Sequence, residues 1–319
     1  MTDLPRAIVW STSMRTRFRG LDRREGVLIR GAAGWGEFSP FWGYDEVESA
    51  RWWAAAREAA DVGFPAPRRS RIPVNVTIPA VGPERARTLV LASGGCQTAK
   101  VKVAEPGQSL AQEQARLAAV REAIGPRGAI RIDANGGWDV DTAVDRLRLL
   151  DRAAGGLEYA EQPCAQVAEL AQVRRRSQVP IAADESIRRA DDPFAVARAE
   201  AADIVVLKVQ PLGGVRAALA IAEQVGLPAV VSSALESSVG IAAGLALAAA
   251  LPELPFACGL GTVQLLGSDV TDEPLLPAAG ELPVRPVAPS PSALAPVDAR
   301  TRERWFARIQ AVGGHLEPQ

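Results

Sequence analysis

The chain has 319 residues, enough for one large domain and a smaller companion. Its 36 basic and 37 acidic residues leave a formal charge of −1, which excludes the broad basic field a nucleic-acid binder uses to release counterions. With 48% apolar and 23% charged residues the composition is globular, and the most apolar run, 241–251, falls short of the roughly 20 residues that cross a bilayer and predicts a buried helix. Neither nucleic acid nor membrane is therefore expected as a partner. Met1 is followed by Asp3 and Arg6 without an apolar leader. Cys96, Cys164 and Cys258 are odd in number and lack metal-type spacing, so a reducing, cytoplasmic setting is expected. His315 is the only histidine, which leaves acid–base chemistry to lysine or carboxylate.

In chain order, the apolar runs 7–10 and 26–29 and the segment Trp35-Gly36-Glu37 predict a small antiparallel sheet. Asp45 is placed to N-cap a helix with Val47, Ala50, Trp53 and Ala54 on its apolar face. Residues 1–92 thus read as an α+β domain. From Thr98, short apolar or β-branched runs recur at 99–103, 130–133, 157–161, 181–184, 204–208, 229–233 and 256–259. Helix-period segments at 110–124, 142–153 and 215–225 lie between them. Such repeats are parallel βαβ units, and a series this long predicts a closed barrel over 93–273. An open doubly wound sheet is the alternative, weakened by the lack of a G-x-G-x-x-G turn. Residues 274–319 form the last segment, with a proline-rich extended connector to Pro296 and a helix over 300–312 that docks through Trp305, Ile309 and Val312.

The C-terminal ends of parallel barrel strands share one mouth, where this architecture builds its active sites. Those ends carry Lys100 and Lys102, then Asp133, Glu161, Asp184 and Lys208, and these are all three lysines of a chain that otherwise uses arginine. Lysine, unlike arginine, can lose its proton near neutral pH in a suitable setting. Alternation along a strand puts Lys100 and Lys102 on one face, where each ammonium is expected to lower the pKa of the other. Asp133, Glu161 and Asp184, on consecutive strands, suit a hard cation such as Mg²⁺. Any one of these acids alone reads as a loop acid or helix cap, but matching residues at five strand ends do not.

The set Lys100-x-Lys102, Asp133-x-Asn135 with Trp138, Glu161-Gln162-Pro163, Asp184-Glu185-Ser186 and Lys208 followed by Gly213-Gly214 resembles the enolase superfamily, in its muconate-cycloisomerase-type subgroup. The resemblance spans nearly the whole chain. It implies an α/β fold in which a modified (β/α)7β TIM-type barrel carries an N-terminal α+β capping domain and a C-terminal segment returns to the cap. It also implies Mg²⁺, or Mn²⁺ in its place, held by Asp133, Glu161 and Asp184, and a small carboxylate substrate that loses its α-proton to lysine. Within the subgroup, Arg131-x-Asp133, the segment 232–240, Gly259-Leu260-Gly261-Thr262 and the cap segment 15–20 are similar to the o-succinylbenzoate synthase family of menaquinone biosynthesis. The acidic pair that dipeptide epimerases carry on the last strand is missing from Gly259-Leu260-Gly261.

This finer resemblance implies loss of water from 2-succinyl-6-hydroxy-2,4-cyclohexadiene-1-carboxylate through an enediolate. Lys102 would move the proton, Lys208 would stabilise the anion from across the site, and Lys100 would lie near the metal-bound carboxylate. Arg131, Asn135, Ser232, Ser233, Gly259, Leu260, Gly261, Phe18 and Arg19, with Trp42, are then expected around the substrate. An N-succinylamino acid racemase would keep the same lysines and metal ligands. A non-catalytic binding barrel is the reading from another class, opposed by the cost of burying such charges without a use for them.

Overall fold

A computed structural model describes residues 5–18, 20–189 and 192–314, so Arg19 and His315 lie outside the described residues. The chain opens with the antiparallel strands β1 (Ala7–Phe18), β2 (Leu21–Arg30) and β3 (Trp35–Phe38). Asp45 caps the helix Glu46–Arg57 by accepting from the Glu48 amide at 2.8 Å, a contact worth about 1 kcal/mol. The buried face of that helix departs from the expected one: Val47 is exposed, whereas Ser49, Trp52, Ala55 and Ala56 are buried. Alanines and tryptophans occupy positions all round its second half, so tertiary contacts select the face. Trp52 and Ala56 share a core with Phe38 of β3 and with Trp305 and Ile309 of the C-terminal helix Ala299–Ala311.

Next come β4 (Arg71–Pro73) and the seven parallel strands β5 (Val76–Ile78), β6 (Thr98–Lys102), β7 (Ala129–Asp133), β8 (Tyr159–Glu161), β9 (Ile181–Ala183), β10 (Ile204–Leu207) and β11 (Ala229–Val231), which pair in sequence order. The sequence reading lacked β5. The run 256–259 makes only isolated bridges, Ser232 with Gly259 and Val74 with Cys258, yet these join the two edges of the sheet into a barrel. Gly259 N donates to Val231 O at 2.8 Å on one side and Cys258 N to Pro73 O at 2.7 Å on the other. A Cβ at Gly259 would stand 2.5 Å from Ser232 Oγ, so glycine permits this closure. The proline-rich connector contains one short strand, β12 (Glu281–Pro283), paired antiparallel with β4.

Helices Leu110–Ile124 and Val215–Val225 fall where periodicity predicts them, and Val140–Ala154 slightly extends 142–153. Ser238–Ala250 is buried nearly all round, in keeping with its Ala/Gly-rich sequence. Ala99, Val101, Ile130 and Ile132 join the main apolar core with helix residues such as Leu117, Val120 and Leu147. Alternation therefore turns Lys100, Lys102, Arg131 and Asp133 to the opposite face, the barrel interior. Among the described residues no helix is long and apolar enough to cross a membrane.

Candidate active site

Strand register sets the charges side by side. Lys102 is the partner of Asp133 across β6 and β7, and Asp133 is the partner of Glu161 across β7 and β8. Asp184 follows β9 and Lys208 follows β10. Lys102 Nζ donates to Asp133 Oδ2 at 2.6 Å and also to Asn135 Oδ1. Lys100 Nζ reaches both Glu161 oxygens at 2.9 Å and lies 3.3 Å from Asp133 Oδ2. Lys208 Nζ donates to Asp184 Oδ2 at 2.6 Å, and Arg188 Nε to Asp184 Oδ1 at 2.9 Å. None of these acids and lysines is more than 6% exposed. Such burial is tolerable because opposite charges alternate around the ring; an isolated charge there would cost several kcal/mol, on the order of the usual ionic desolvation penalty.

The electrostatics correct one expectation. Burial alone would lower the Lys100 pKa, but the Glu161 and Asp133 carboxylates outweigh it, and the pKa is raised. Asp133 is held low because Lys102 and Lys100 outweigh its burial. Glu161 is pushed up to about 7 by burial and by the neighbouring Asp133 charge, against the pull of Lys100.

Backbone shape holds the strand ends in place. Asn135 (φ 47°) and Gln162 (φ 42°) turn the chain through the left-handed region directly after β7 and β8, a strain that surrounding bonds must sustain. Gln162 is fully buried; its Oε1 accepts from the Asp184 and Ser186 amides at 2.9 and 3.2 Å, and its Nε2 donates to Ser186 Oγ at 2.7 Å. The glutamine of Glu161-Gln162-Pro163 thus fixes the turn that presents Asp184.

Above the ring lies a cavity of about 720 Å³ between cap and barrel. Phe18, Leu21, Phe41, Trp42 and Tyr44 wall it from the cap, and Lys102, Asn135, Glu185 and Arg188 from the barrel. Lys100, Lys208 and the three acids lie outside these walls. Ser232, Ser233, Gly259, Leu260 and Gly261 also lie outside them, grouped where the barrel closes, with Ser233 Oγ 2.7 Å from Thr262 Oγ1. Arg131 is farther from the strand end than Asp133 and fully buried; it pairs with Glu158, donates to Ala257 O at 2.6 Å and stacks on Tyr159 at 4.7 Å.

A family model for the enolase C-terminal domain-like fold matches residues 83–289, and one for the enolase N-terminal domain-like fold matches 9–60. An o-succinylbenzoate synthase from Thermobifida fusca is 67% identical over 93% of this chain and 93% of its own. One from Mycolicibacterium smegmatis is 54% identical over 97% of this chain and 95% of its own. The chain belongs to the o-succinylbenzoate synthase family of the enolase superfamily. Among solved structures, a muconate lactonizing enzyme from Pseudomonas fluorescens superposes with a TM-score of 0.75 at 22% identity, covering 94% of this chain and 97% of its own. An L-Ala-D/L-Glu epimerase from Bacillus subtilis gives 0.73 at 23% identity, over 87% and 94%. These two share the enolase-superfamily fold.

In this member of the o-succinylbenzoate synthase family the cap is joined to the barrel by a second buried charge cluster that sequence reasoning missed. Glu37 of β3 accepts from the Ser237 and Gly240 amides, both at 3.1 Å, from Ser39 Oγ at 2.6 Å and from Ser237 Oγ. Those amides belong to the start of helix Ser238–Ala250, where N–H groups lack helical partners. A Cβ on Gly240 would approach Glu37 Cδ to 3.0 Å and Glu236 Cβ to 2.5 Å, so glycine makes room for the carboxylate. Arg24 donates to the carbonyls of Leu235 and Ala234 at 3.0 and 3.2 Å and to that of Ser39. Burial and the Glu236 charge push Glu37 up to about 7. Arg188 and Tyr44 were missed as well; Arg188, four residues after Asp184 on one helical turn, carried the only sequence signal.

Proposed function

We propose that this chain is a carbon–oxygen lyase, an o-succinylbenzoate synthase that acts in the cytoplasm in menaquinone biosynthesis. The observation that carries the reading is the 67% identity to a relative of that name over 93% of both chains. The buried ring of three lysines and three acids supports it with chemistry suited to removing a proton α to a carboxylate.

As placed, the three acids face ammonium partners, and among the described residues no three such side chains converge to hold a metal ion. Their donor type still fits: three hard carboxylates from consecutive strand ends, with Glu161 pushed up to about 7 by burial and a neighbouring acid, suit a divalent cation. Asp133, Glu161 and Asp184 would hold Mg²⁺, or Mn²⁺, which supplies a fixed positive charge to the substrate carboxylate as its α-carbon becomes anionic.

Lys102, the one lysine on the cavity wall, acts from its neutral amine form: its Nζ lone pair takes the α-proton, becoming ammonium, as the C–H electron pair moves toward the carboxylate. It then returns a proton to the departing hydroxyl, so that water leaves as the C–O bond breaks and the ring becomes aromatic. Asn135 Oδ1 and Asp133 Oδ2 orient Nζ for both transfers. Lys208 stays charged and stabilises the anion, and Lys100 lies beside the carboxylate end. Phe18 and Trp42 of the cap cover the substrate ring and exclude water. Ser232, Ser233 and the segment 259–261 line the succinyl end once substrate is bound.

The test is incubation of the purified chain and Mg²⁺ with the cyclohexadiene acid. Its diene absorbance should vanish at an enzymic rate, while an N-succinylamino acid should racemise much more slowly. Racemisation faster than dehydration would replace this reading with the racemase one.

A further inference from the structure

We propose that Arg188 is a positioning residue that makes the seating of cap loop 41–44 and the orientation of the Asp184 carboxylate one event. The inference rests on the reading of Asp184 as a ligand of a divalent cation.

The Arg188 side chain is 2% exposed, and three of its nitrogens bond to three different groups. Nε donates to Asp184 Oδ1 at 2.9 Å, Nη2 to Glu185 Oε1 at 2.6 Å and Nη1 to the Tyr44 hydroxyl at 2.6 Å. A guanidinium is a rigid planar fork, so the two acids on the barrel side fix the direction of the third bond. That bond ends on the cap. Tyr44 is itself held firmly: Arg308 of the C-terminal helix donates to the Tyr44 and Phe41 carbonyls at 2.9 and 2.7 Å, and the Tyr44 ring meets Phe41 and Trp52 edge-on at 5.6 and 5.9 Å. Retracting the loop would take the hydroxyl from a buried, charged donor, at a cost beyond that of an exposed hydrogen bond.

The fork also completes a continuous arc. Lys102 donates to Asn135, Asn135 Nδ2 donates to Glu185 Oε1 at 3.1 Å, Arg188 holds Glu185 and Asp184, and Asp184 accepts from Lys208. The two lysines on either side of the site are thus joined through one arginine that also contacts the cap. A lysine at 188 would offer a point charge and could not hold this geometry.

The test uses Mn²⁺ titration of the substrate-free protein, read by electron paramagnetic resonance, beside kcat and KM for dehydration. Tyr44→Phe removes one oxygen and keeps the ring packing. It is expected to lower Tm by only a few degrees, as the loss of one buried charged hydrogen bond does, to weaken Mn²⁺ binding about tenfold and to lower kcat with little change in KM. Arg188→Lys should lose more, and adding Tyr44→Phe to it should cost little further, because both break the same link. Wild-type Mn²⁺ affinity and kcat in Tyr44→Phe, or additive losses in the double variant, would overturn the proposal. A wild-type chain that binds Mn²⁺ but leaves the diene acid intact sinks the dehydratase reading alone, with the titration still deciding this one. A wild-type chain that binds no Mn²⁺ refutes both.

Discussion

Two buried charge clusters lie near the boundary of cap and barrel, and they are satisfied in opposite ways. At the strand ends, Asp133, Glu161 and Asp184 face Lys100, Lys102, Lys208 and Arg188, side chain against side chain. At the seam, Arg24 stands with two acids, Glu37 and Glu236, and much of the compensation comes from backbone: carbonyls around the arginine and helix N-terminal amides at Glu37. Glu161 and Glu37 are both pushed up to about 7 by burial and a neighbouring acid. Mobile side-chain charges can be redistributed when a cation and a substrate arrive, whereas backbone dipoles cannot move. The first arrangement suits chemistry and the second suits holding two parts of a fold together.

The sharpest way to separate the clusters is chelation. Exhaustive removal of divalent metal should abolish turnover, and Mg²⁺ or Mn²⁺ should restore it; full activity after chelation would take the metal out of the mechanism. Arg24→Met probes the seam instead. It leaves Glu37 and Glu236 buried without their cation and should cost about 3–5 kcal/mol in urea unfolding, with an unchanged stability arguing that the backbone alone carries the seam.

A smaller effect is expected from Glu37→Gln, read as stability against pH. The Glu37 pKa rises from 4.5 to about 7 on folding, so between those values the native state binds more protons than the unfolded one. The wild-type contribution of Glu37 is therefore fully present below 4.5 and is lost as pH rises through about 7. Relative to Glu37→Gln, the wild type should lose on the order of 2 kcal/mol between pH 5 and pH 8. Parallel profiles for the two proteins would contradict the assignment.

The strand-end cluster was legible in the sequence because its members sit at fixed places in a repeating βα pattern, and three lysines stood out among arginines. The seam was not: Arg24 and Leu235 meet across 211 residues, and although Leu235 lies in the family-marking segment 232–240, nothing in that segment pointed to Arg24 or Glu37. Strand β5 escaped notice because it is only three residues long, and Thr77 within it, paired with Lys100, and Asn75 before it, beside Arg131, break the apolar run. The first helix hid its buried face for the reverse reason: apolar residues on several sides left Trp52 to be chosen by its contacts with the C-terminal helix and β3. Serines 232 and 233 were read from their strand end, and Ser232 lies where the barrel closes, bridged to Gly259.

The central claim, that Lys102 carries the proton and Lys208 acts as a fixed charge, is tested most directly by kcat for dehydration in Lys102→Ala and Lys208→Ala. The account predicts a loss of at least about 10³-fold for Lys102→Ala and a smaller loss of about 10²-fold for Lys208→Ala. Turnover by Lys102→Ala within tenfold of the wild type, or a greater loss in Lys208→Ala, would contradict it.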